Sequence, residues 1–286
     1  MKSFPFTANP ADLTEEGRTT AMPTRARSKT SNPKLPVIAP SPLPVGRTDV
    51  AGNAVYSRIL LSIPDGEYEA LLPHLEFVEL RLHQSLHESP DGLEYGYFLN
   101  LGLTSLVIET EDGRSVEVGI VGREGFVGVP LAAGLHLTPY RACVQANGNG
   151  FRIKAEVLEV TLSSTPNLRL RLNQYAQAQG MQVAQLAACN RLHEIDQRLA
   201  RWLLMCEDRI GSDLLPMTHE FFAQMLGTGR PSVSLAAAVL QRAGFVQNAR
   251  GTVKIIDRKG LEASACECYA VIQKFDGIAD TLANLG

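Results

Sequence analysis

Long apolar runs are missing from this sequence, and so are the common motifs of catalysis. No stretch approaches the ~18 consecutive apolar residues of a membrane-spanning helix, so we predict no membrane partner. Gly-x-Ser-x-Gly, His-Glu-x-x-His and Cys-x-x-Cys do not occur, which removes the usual signatures of serine hydrolases, zinc proteases and thiol oxidoreductases. We therefore expect a protein that is not an enzyme and has no catalytic residues.

The sequence also has few cysteines and no large excess of either charge. The net charge is −3, which argues against a uniformly basic nucleic-acid binder. The five cysteines are scattered and odd in number, a pattern that favours reduced thiols and a cytoplasmic location. Cys266-Glu267-Cys268 resembles half a metal site, but no second pair matches it, and residues two apart on a helix point to different faces. The sequence predicts no metal and no cofactor.

Composition divides the chain into regions. Residues 1–52 hold half of the prolines, eight of 16 within the first 50 residues, and little apolar periodicity, so a disordered tail is expected there. Residues 53–165 begin with short amphipathic helices and continue as short strands separated by Gly, Pro and Asp. The predicted strands are Phe77–Leu82, Gln84–His87, Tyr95–Leu101, Leu103–Glu109, Ser115–Ile120, Arg141–Gln145 and Gly150–Ile153. Turn signals at 89–92 and 111–113 predict hairpins, and the whole indicates a small antiparallel β-barrel or jelly roll.

A long helix follows at residues 166–191, opened by Pro166. Its three-four repeat is close to a coiled-coil seam, and the seam residues are Leu168, Leu172, Tyr175, Gln179, Val183, Leu186 and Asn190. Either this helix packs on its own barrel or it forms a parallel dimer seam, and its length favours the dimer. In a dimer, polar Gln179 and Asn190 would fix the register.

Residues 192–286 begin with a helix at Glu194–Asp208, for which Trp202 is the expected core anchor. Next, Thr218 is a good N-cap for a first short helix, and Gly227 stops that helix after Leu226. Pro231 fits the first turn of a second helix, which ends at Gly244. Two β-rich runs around Ala249-Arg250-Gly251 predict a hairpin wing. The pattern is that of a winged helix-turn-helix, followed by a final helix from Leu261 to about Phe275 that Asp257 caps.

This order of parts resembles the Crp/Fnr family of bacterial transcription regulators. The resemblance is carried by Leu72–Glu76, Glu111–Gly119, Val121–Gly125, Arg198–Leu204 and Arg230–Val233. It implies an α+β fold with a cyclic-nucleotide-binding-like barrel, a dimerisation helix and a C-terminal winged helix-turn-helix. It also implies a homodimer that binds double-stranded DNA at a pseudo-palindromic operator, with RNA polymerase as a further partner.

The ligand pocket departs from the family pattern. Cyclic-nucleotide binders carry Gly-Glu-x-Gly for the ribose and Arg-Ser for the phosphate, whereas an apolar ring replaces the glutamate here. The matching pocket residues are Gly125, Phe126, Val127, Gly128, Tyr140, Arg141 and Gln179. A cyclic phosphate without a well-placed arginine would be costly to desolvate. We therefore predict that cyclic AMP is not the ligand, and the effector stays unknown.

The DNA-contacting residues are predicted from the second helix and the wing. They are Thr218, His219, Arg230, Ser232, Ser234, Gln241, Arg242, Arg250 and Lys254. Arg230 is the expected base reader because a guanidinium can bind guanine O6 and N7 together. Arg242, Arg250 and Lys254 are placed for phosphates, which position a protein without reading sequence.

Three alternatives stay open at this point. One is a regulator that needs no effector and uses its barrel as a scaffold. Another is a winged domain that binds a protein partner instead of DNA. The third is a metal-binding cupin-type enzyme, for which His83 and His87 would have to be ligands.

Overall fold

The structure of the protein is a computed structural model that describes residues 46–88 and 92–283, with side chains as far as Asp276. Its helices are α1 (Arg58–Leu61), α2 (Asp65–Leu71), α3 (Ala155–Leu162), α4 (Pro166–Leu192), α5 (Ile195–Ile210), α6 (His219–Met225), α7 (Arg230–Arg242), α8 (Arg258–Ser264) and α9 (Cys268–Ala283). Its strands are β1 (Glu76–Leu80), β2 (Ser85–His87), β3 (Tyr95–Glu109), β4 (Ser115–Val121), β5 (Phe126–Val127), β6 (Arg141–Lys154), β7 (Leu214–Leu215), β8 (Val246–Ala249) and β9 (Thr252–Ile255). None of these helices combines the length and the apolarity needed to cross a bilayer.

Most of the predicted tail lies outside the described residues. Its last part, residues 46–52, is packed on the protein: the Arg47 guanidinium donates to the backbone oxygens of Leu60 and Ile63 and pairs with Asp65. The ordered chain therefore starts at least seven residues before the predicted domain boundary at 53.

The first domain is built on an antiparallel sheet with strand order β1-β6-β3-β4, in which β2 also pairs with β6 and β5 with β3. This agrees with the predicted α+β class. The two long strands β3 and β6 each replace two predicted strands, because register shifts and Gly102, at φ 95°, let β3 continue through its irregular middle. The hairpin predicted at 89–92 is wrong in its pairing, since β2 and β3 both pair with β6. Helix α3 and the short strand β5 were not predicted.

Helix α4 packs on its own subunit with the face that the three-four repeat defines. Leu168, Leu172 and Tyr175 are buried in the core of the sheet domain, and Leu186 in the core around α5. The 3.6-residue period does not tell an inner face from a dimer seam, and four of the seven predicted seam residues are core residues of their own subunit. Of the seven seam residues, Val183 is 37% exposed.

The winged helix-turn-helix has the predicted local structure. Thr218 accepts a hydrogen bond from the Phe221 N–H at the start of α6, and Gly227, at φ 59°, ends the turn after Leu226. Helix α7 starts at Arg230 with Pro231 in its first turn, and β8 and β9 form the wing. A third strand, β7, adds to this small sheet and was not predicted.

The C-terminal helix begins earlier than predicted and is broken. Asp257 does cap it, by accepting from the Gly260 N–H. The chain then leaves the helix after Ser264 and enters a second one at Cys268. Ala265–Glu267 therefore form an irregular link, which changes where the nearby cysteines point.

Candidate DNA-binding surface and its connection to the sheet

Helix α7 presents one face to the protein and the other to solvent. Val233, Ala236 and Leu240 are buried on the inner face, within the core that contains Trp202. On the outer face the Arg230 side chain is 68% exposed and Leu235 is 66% exposed. Arg230 and Leu235 are therefore both open to solvent, as the predicted contacts with a guanine and a thymine methyl would require.

Four of the predicted DNA contacts instead hold the domain together. The Thr218 hydroxyl is used as the α6 cap. His219 lies 3.3 Å from the Ser234 Oγ through its Nδ1, and 3.5 Å from the Asn248 Oδ1 through its Nε2. The Gln241 Oε1 accepts from the backbone N–H and the side-chain amide of Asn248, both at 2.9 Å. These contacts fix α7 against α6 and the wing, and the DNA contacts expected of the same residues stay predictions.

The remaining predicted contacts face solvent. Ser232, Arg242 and Arg250 are exposed. Lys254 lies 3.6 Å from Asp213, and Arg230 lies 3.7 Å from Glu220. Pairs this long and this exposed contribute little, so DNA phosphates can replace the carboxylates as partners.

Comparison with known proteins bears on this domain first. The sequence model of the Crp-like helix-turn-helix domain matches residues 197–264, a range that spans α5 to α8. Residues 197–264 are a Crp-like helix-turn-helix domain. No protein of curated function matched the sequence.

Solved structures extend the likeness to the sheet domain. FixK2 of Bradyrhizobium japonicum is 15% identical with a TM-score of 0.57, over 67% of this chain and 98% of its own. CLP of Xanthomonas campestris, described as a c-di-GMP-responsive global regulator, is 17% identical with a TM-score of 0.57, over 67% and 99%. A Crp/Fnr-family regulator of Thermus thermophilus is 21% identical with a TM-score of 0.54, over 66% and 98%. In fold the chain is similar to these Crp/Fnr-family regulators, and its residues 197–264 match the Crp-like helix-turn-helix model.

The Crp-like domain is joined to the sheet by a buried carboxylate. Glu117 on β4 is 5% exposed and accepts hydrogen bonds from the Ser105 hydroxyl and, at 2.7 Å, from the Trp202 Nε1–H. Burial raises the pKa of Glu117 to about 7, although these two donors and the charges of Arg201 and Arg209 oppose the rise. The sequence predicted Trp202 as a core anchor, but nothing in it indicated this partner.

This raised pKa predicts that stability falls as pH rises. The pKa of Glu117 is about 7 in the folded protein against 4.5 ordinarily, so the stabilisation is complete below about pH 4.5 and is lost as pH rises through about 7. In Glu117→Gln, the stability measured by thermal unfolding with circular dichroism should lose this pH dependence, which is worth about 3 kcal/mol. The variant should melt above the wild type at pH 8. The exposed Glu79→Gln should keep the wild-type profile, and an unchanged profile in Glu117→Gln would contradict the assignment.

A second buried group connects three parts of the protein. The Arg209 side chain on α5 is 5% exposed and donates to Glu124 at 2.9 Å and to Asp276 on α9 at 2.8 Å. Glu124 lies in the turn after β4, and its Oε1 also accepts from the Gly122 N–H. Burial raises the pKa of Asp276, while Arg209 opposes that rise. The sheet, the Crp-like domain and the C-terminal helix therefore meet at one guanidinium, which the sequence gave no signal to find.

The predicted ligand pocket is filled by the protein itself. Phe126 and Val127 are 0% exposed, and the Phe126 ring packs on Phe98 with centroids 4.6 Å apart. At Gly125 a Cβ atom would lie 2.2 Å from the Tyr175 hydroxyl. Of the other predicted pocket residues, Gly128 is buried next to Val127, whereas Tyr140, Arg141 and Gln179 are half-buried. Arg141 faces Glu109 at 3.5 Å, and Gln179 has a buried amide nitrogen without a hydrogen-bond partner among the described residues.

An open groove of about 800 Å³ lies elsewhere on the sheet domain. It runs along β1 and the following turn, between Phe77, Arg81 and Tyr97. His83 is in this turn at φ 66° and His87 is buried on β2. The two histidines therefore do not share the strand face that a cupin-type metal site would require.

Proposed function

We propose that the protein is a homodimeric, cytoplasmic transcription regulator that binds a pseudo-palindromic site on double-stranded DNA. The observation that carries this proposal is the exposed outer side of α7 on a Crp-like domain, where Arg230 and Leu235 face solvent, together with exposed Arg242 at the end of that helix and exposed Arg250 in the wing. Two-fold dimers of this kind place their recognition helices ~34–36 Å apart, in successive major grooves. RNA polymerase as a further partner stays a prediction.

The outer face of α4 supports a dimer. Its exposed residues between positions 180 and 188 are all small or apolar: Gly180, Met181, Val183, Ala184, Ala187 and Ala188. Leu170 is 51% exposed, and a Cβ atom at Gly180 would meet nothing within 4 Å. Small residues at this spacing let a second helix approach closely. The proposed dimer contact is therefore on the exposed side of α4, which includes Val183 but none of the four buried seam residues, and Asn190 binds Arg198 of its own chain.

A regulator without a small-molecule effector is the second candidate. It is favoured by the filled pocket, in which Phe126 and Tyr175 occupy the region where the family resemblance expects a cyclic nucleotide. In this version the sheet is a scaffold that holds the Crp-like domain through Glu117 and Arg209. Either version excludes cyclic AMP at Gly125–Gly128, because burying its phosphate there would require partners that the pocket lacks.

Selection of bound fragments from random duplex DNA by the purified protein tests this function. We expect recovered fragments to share two inverted half-sites about ten base pairs apart. Ala184→Glu, which places a charge on the proposed dimer face, should sediment as a monomer and recover no paired half-sites. Ala263→Glu, the same change on an exposed part of α8, should behave as the wild type. Recovery of unrelated fragments by a dimeric wild type would overturn the proposal.

A further inference from the structure

Three thiols and an imidazole from distant parts of the chain meet at one point. Cys189 lies in the last turn of α4 and His193 directly after that helix, while Cys266 is in the irregular link and Cys268 begins α9. Their ligand atoms all lie within 4.8 Å of one another. The cysteines are 0%, 4% and 0% exposed, and the His193 side chain is 17% exposed.

Two local features bring these side chains together. Cys189 and His193 are four residues apart, so the end of α4 places them on the same side. The break between α8 and α9 removes the helical geometry that would have turned Cys266 and Cys268 to different faces. The half site that the sequence shows at 266–268 therefore has its missing partners 77 residues upstream at Cys189 and 75 residues upstream at His193.

The distances within this cluster fit a single tetrahedral ion. The Sγ atoms of Cys189 and Cys266 are 3.5 Å apart, and the Cys268 Sγ is 3.5 Å from the His193 Nδ1. Ligands at the zinc distances of ~2.3 Å for sulfur and ~2.0–2.1 Å for nitrogen are separated by roughly 3.5–3.8 Å in a tetrahedron. We propose that Cys189, His193, Cys266 and Cys268 bind one zinc ion. Zinc is the divalent metal that three thiolates and one imidazole in a closed tetrahedron favour.

The surroundings complete this zinc site. The second ring nitrogen of His193 lies 3.2 Å from a Glu267 carboxylate oxygen, the outer contact that metal-bound histidines usually make. The Gln185 amide donates to the Cys268 Sγ at 3.0 Å. On binding, the three thiols lose their protons to solvent.

A buried arginine supplies independent support for the charge of this site. Zinc with three thiolates carries one net negative charge, and the nearby Arg201 is 2% exposed. Its buried Nε has no hydrogen-bond partner within residues 46–88 and 92–276. A buried cation requires a compensating charge; Arg201 already acts on Glu117, and the zinc site would add a second negative charge.

The proposed role is structural. All four ligands come from the protein, so no position is left for a substrate or water. The ion would tie the end of α4, whose outer face we propose as the dimer contact, to the start of α9, which carries Asp276 to Arg209. Zinc would thus hold the Crp-like domain in a set position relative to α4.

Metal content of the full-length protein tests the proposal. Protein purified under reducing conditions without chelators should contain about one zinc per chain by inductively coupled plasma mass spectrometry. After the zinc is removed, added cobalt(II) should bind with the thiolate-to-metal charge-transfer absorption of a tetrahedral sulfur-rich site. Wild-type protein that carries no zinc and gives no such absorption would overturn the proposal, whether or not any variant folds.

Matched variants locate the site. Cys268→Ser should lower the zinc content at least tenfold, and His193→Gln should weaken cobalt binding and shift the absorption. Cys143→Ser, which changes a buried cysteine on β6, should retain one zinc per chain. The close Cys189–Cys266 pair also allows a disulfide, so the thiols should be alkylated at cell lysis. A Cys189–Cys266 disulfide in that sample, with no metal, would replace the zinc site by a redox pair.

Discussion

Arg230→Ala is expected to lower the affinity for the selected operator while leaving binding to random duplex almost unchanged. A bidentate arginine–guanine contact contributes ~1–3 kcal/mol of base discrimination, and a dimer makes it twice. The expected loss is therefore on the order of 2–6 kcal/mol on the operator. The structure supports this role because the Arg230 side chain is 68% exposed and its only described ion pair, with Glu220, is 3.7 Å long.

Titration of labelled operator and random duplex over a range of salt concentrations measures this effect. Arg250→Ala is the matched control, since it removes the same charge from the wing instead of from the recognition helix. It should lower the affinity for both duplexes equally. It should also reduce the slope of log K against log salt by about 0.9 per lost phosphate contact. Equal losses on both duplexes for Arg230→Ala would show that Arg230 binds phosphate and does not read a base.

Arg209→Met should cost about 3–5 kcal/mol of unfolding free energy, which is the usual penalty for removing one partner of a buried ion pair. The arginine side chain is 5% exposed and those of its partners Glu124 and Asp276 are 11% and 26% exposed. Methionine fills a similar volume without a charge, so both carboxylates would lose their buried partner. The loss is measured by urea unfolding at neutral pH with circular dichroism.

Two further variants separate the buried pair from general effects of losing an arginine. Arg152→Met removes an arginine that pairs with Glu76, where the two side chains are 31% and 57% exposed, and it should cost at most ~1 kcal/mol. Adding Glu124→Gln to Arg209→Met should recover part of the lost stability because one unpaired charge is removed. A loss for Arg209→Met no larger than that for Arg152→Met would contradict the buried network.

Local signals explain why the helix-turn-helix could be predicted closely. Thr218, Gly227 and Pro231 act through their own backbone and side-chain chemistry, so their effect does not depend on distant contacts. The strands of the sheet were found for the same reason, although Gly102 marked an irregularity within β3 that sequence alone read as its end. Whether each of these helices and strands exists, and which type it is, is decided by residues that lie within a few positions of one another in the sequence.

Contacts between distant residues explain the failures. The face of α4 that meets its own core shares its period with a dimer seam, and only the position of the sheet decides between them. Glu117 and Trp202 meet across 85 positions and Cys189 and Cys266 across 77. Two signals for the proposed metal site were available in the sequence: the half site at 266–268, and the four-residue spacing of Cys189 and His193, which is a ligand spacing on a helix.

The contact between Trp202 and Glu117 also gives the protein an intrinsic fluorescence probe. Trp202 is the chain's sole tryptophan, and its indole N–H donates to Glu117 at 2.7 Å where the Crp-like domain meets the sheet. Tryptophan emission from the unlabelled protein therefore comes from this junction and from nowhere else. Any DNA sequence, ion or small molecule that loosens the junction exposes the indole to water and moves the emission to longer wavelength, so candidate effectors can be screened by fluorescence alone.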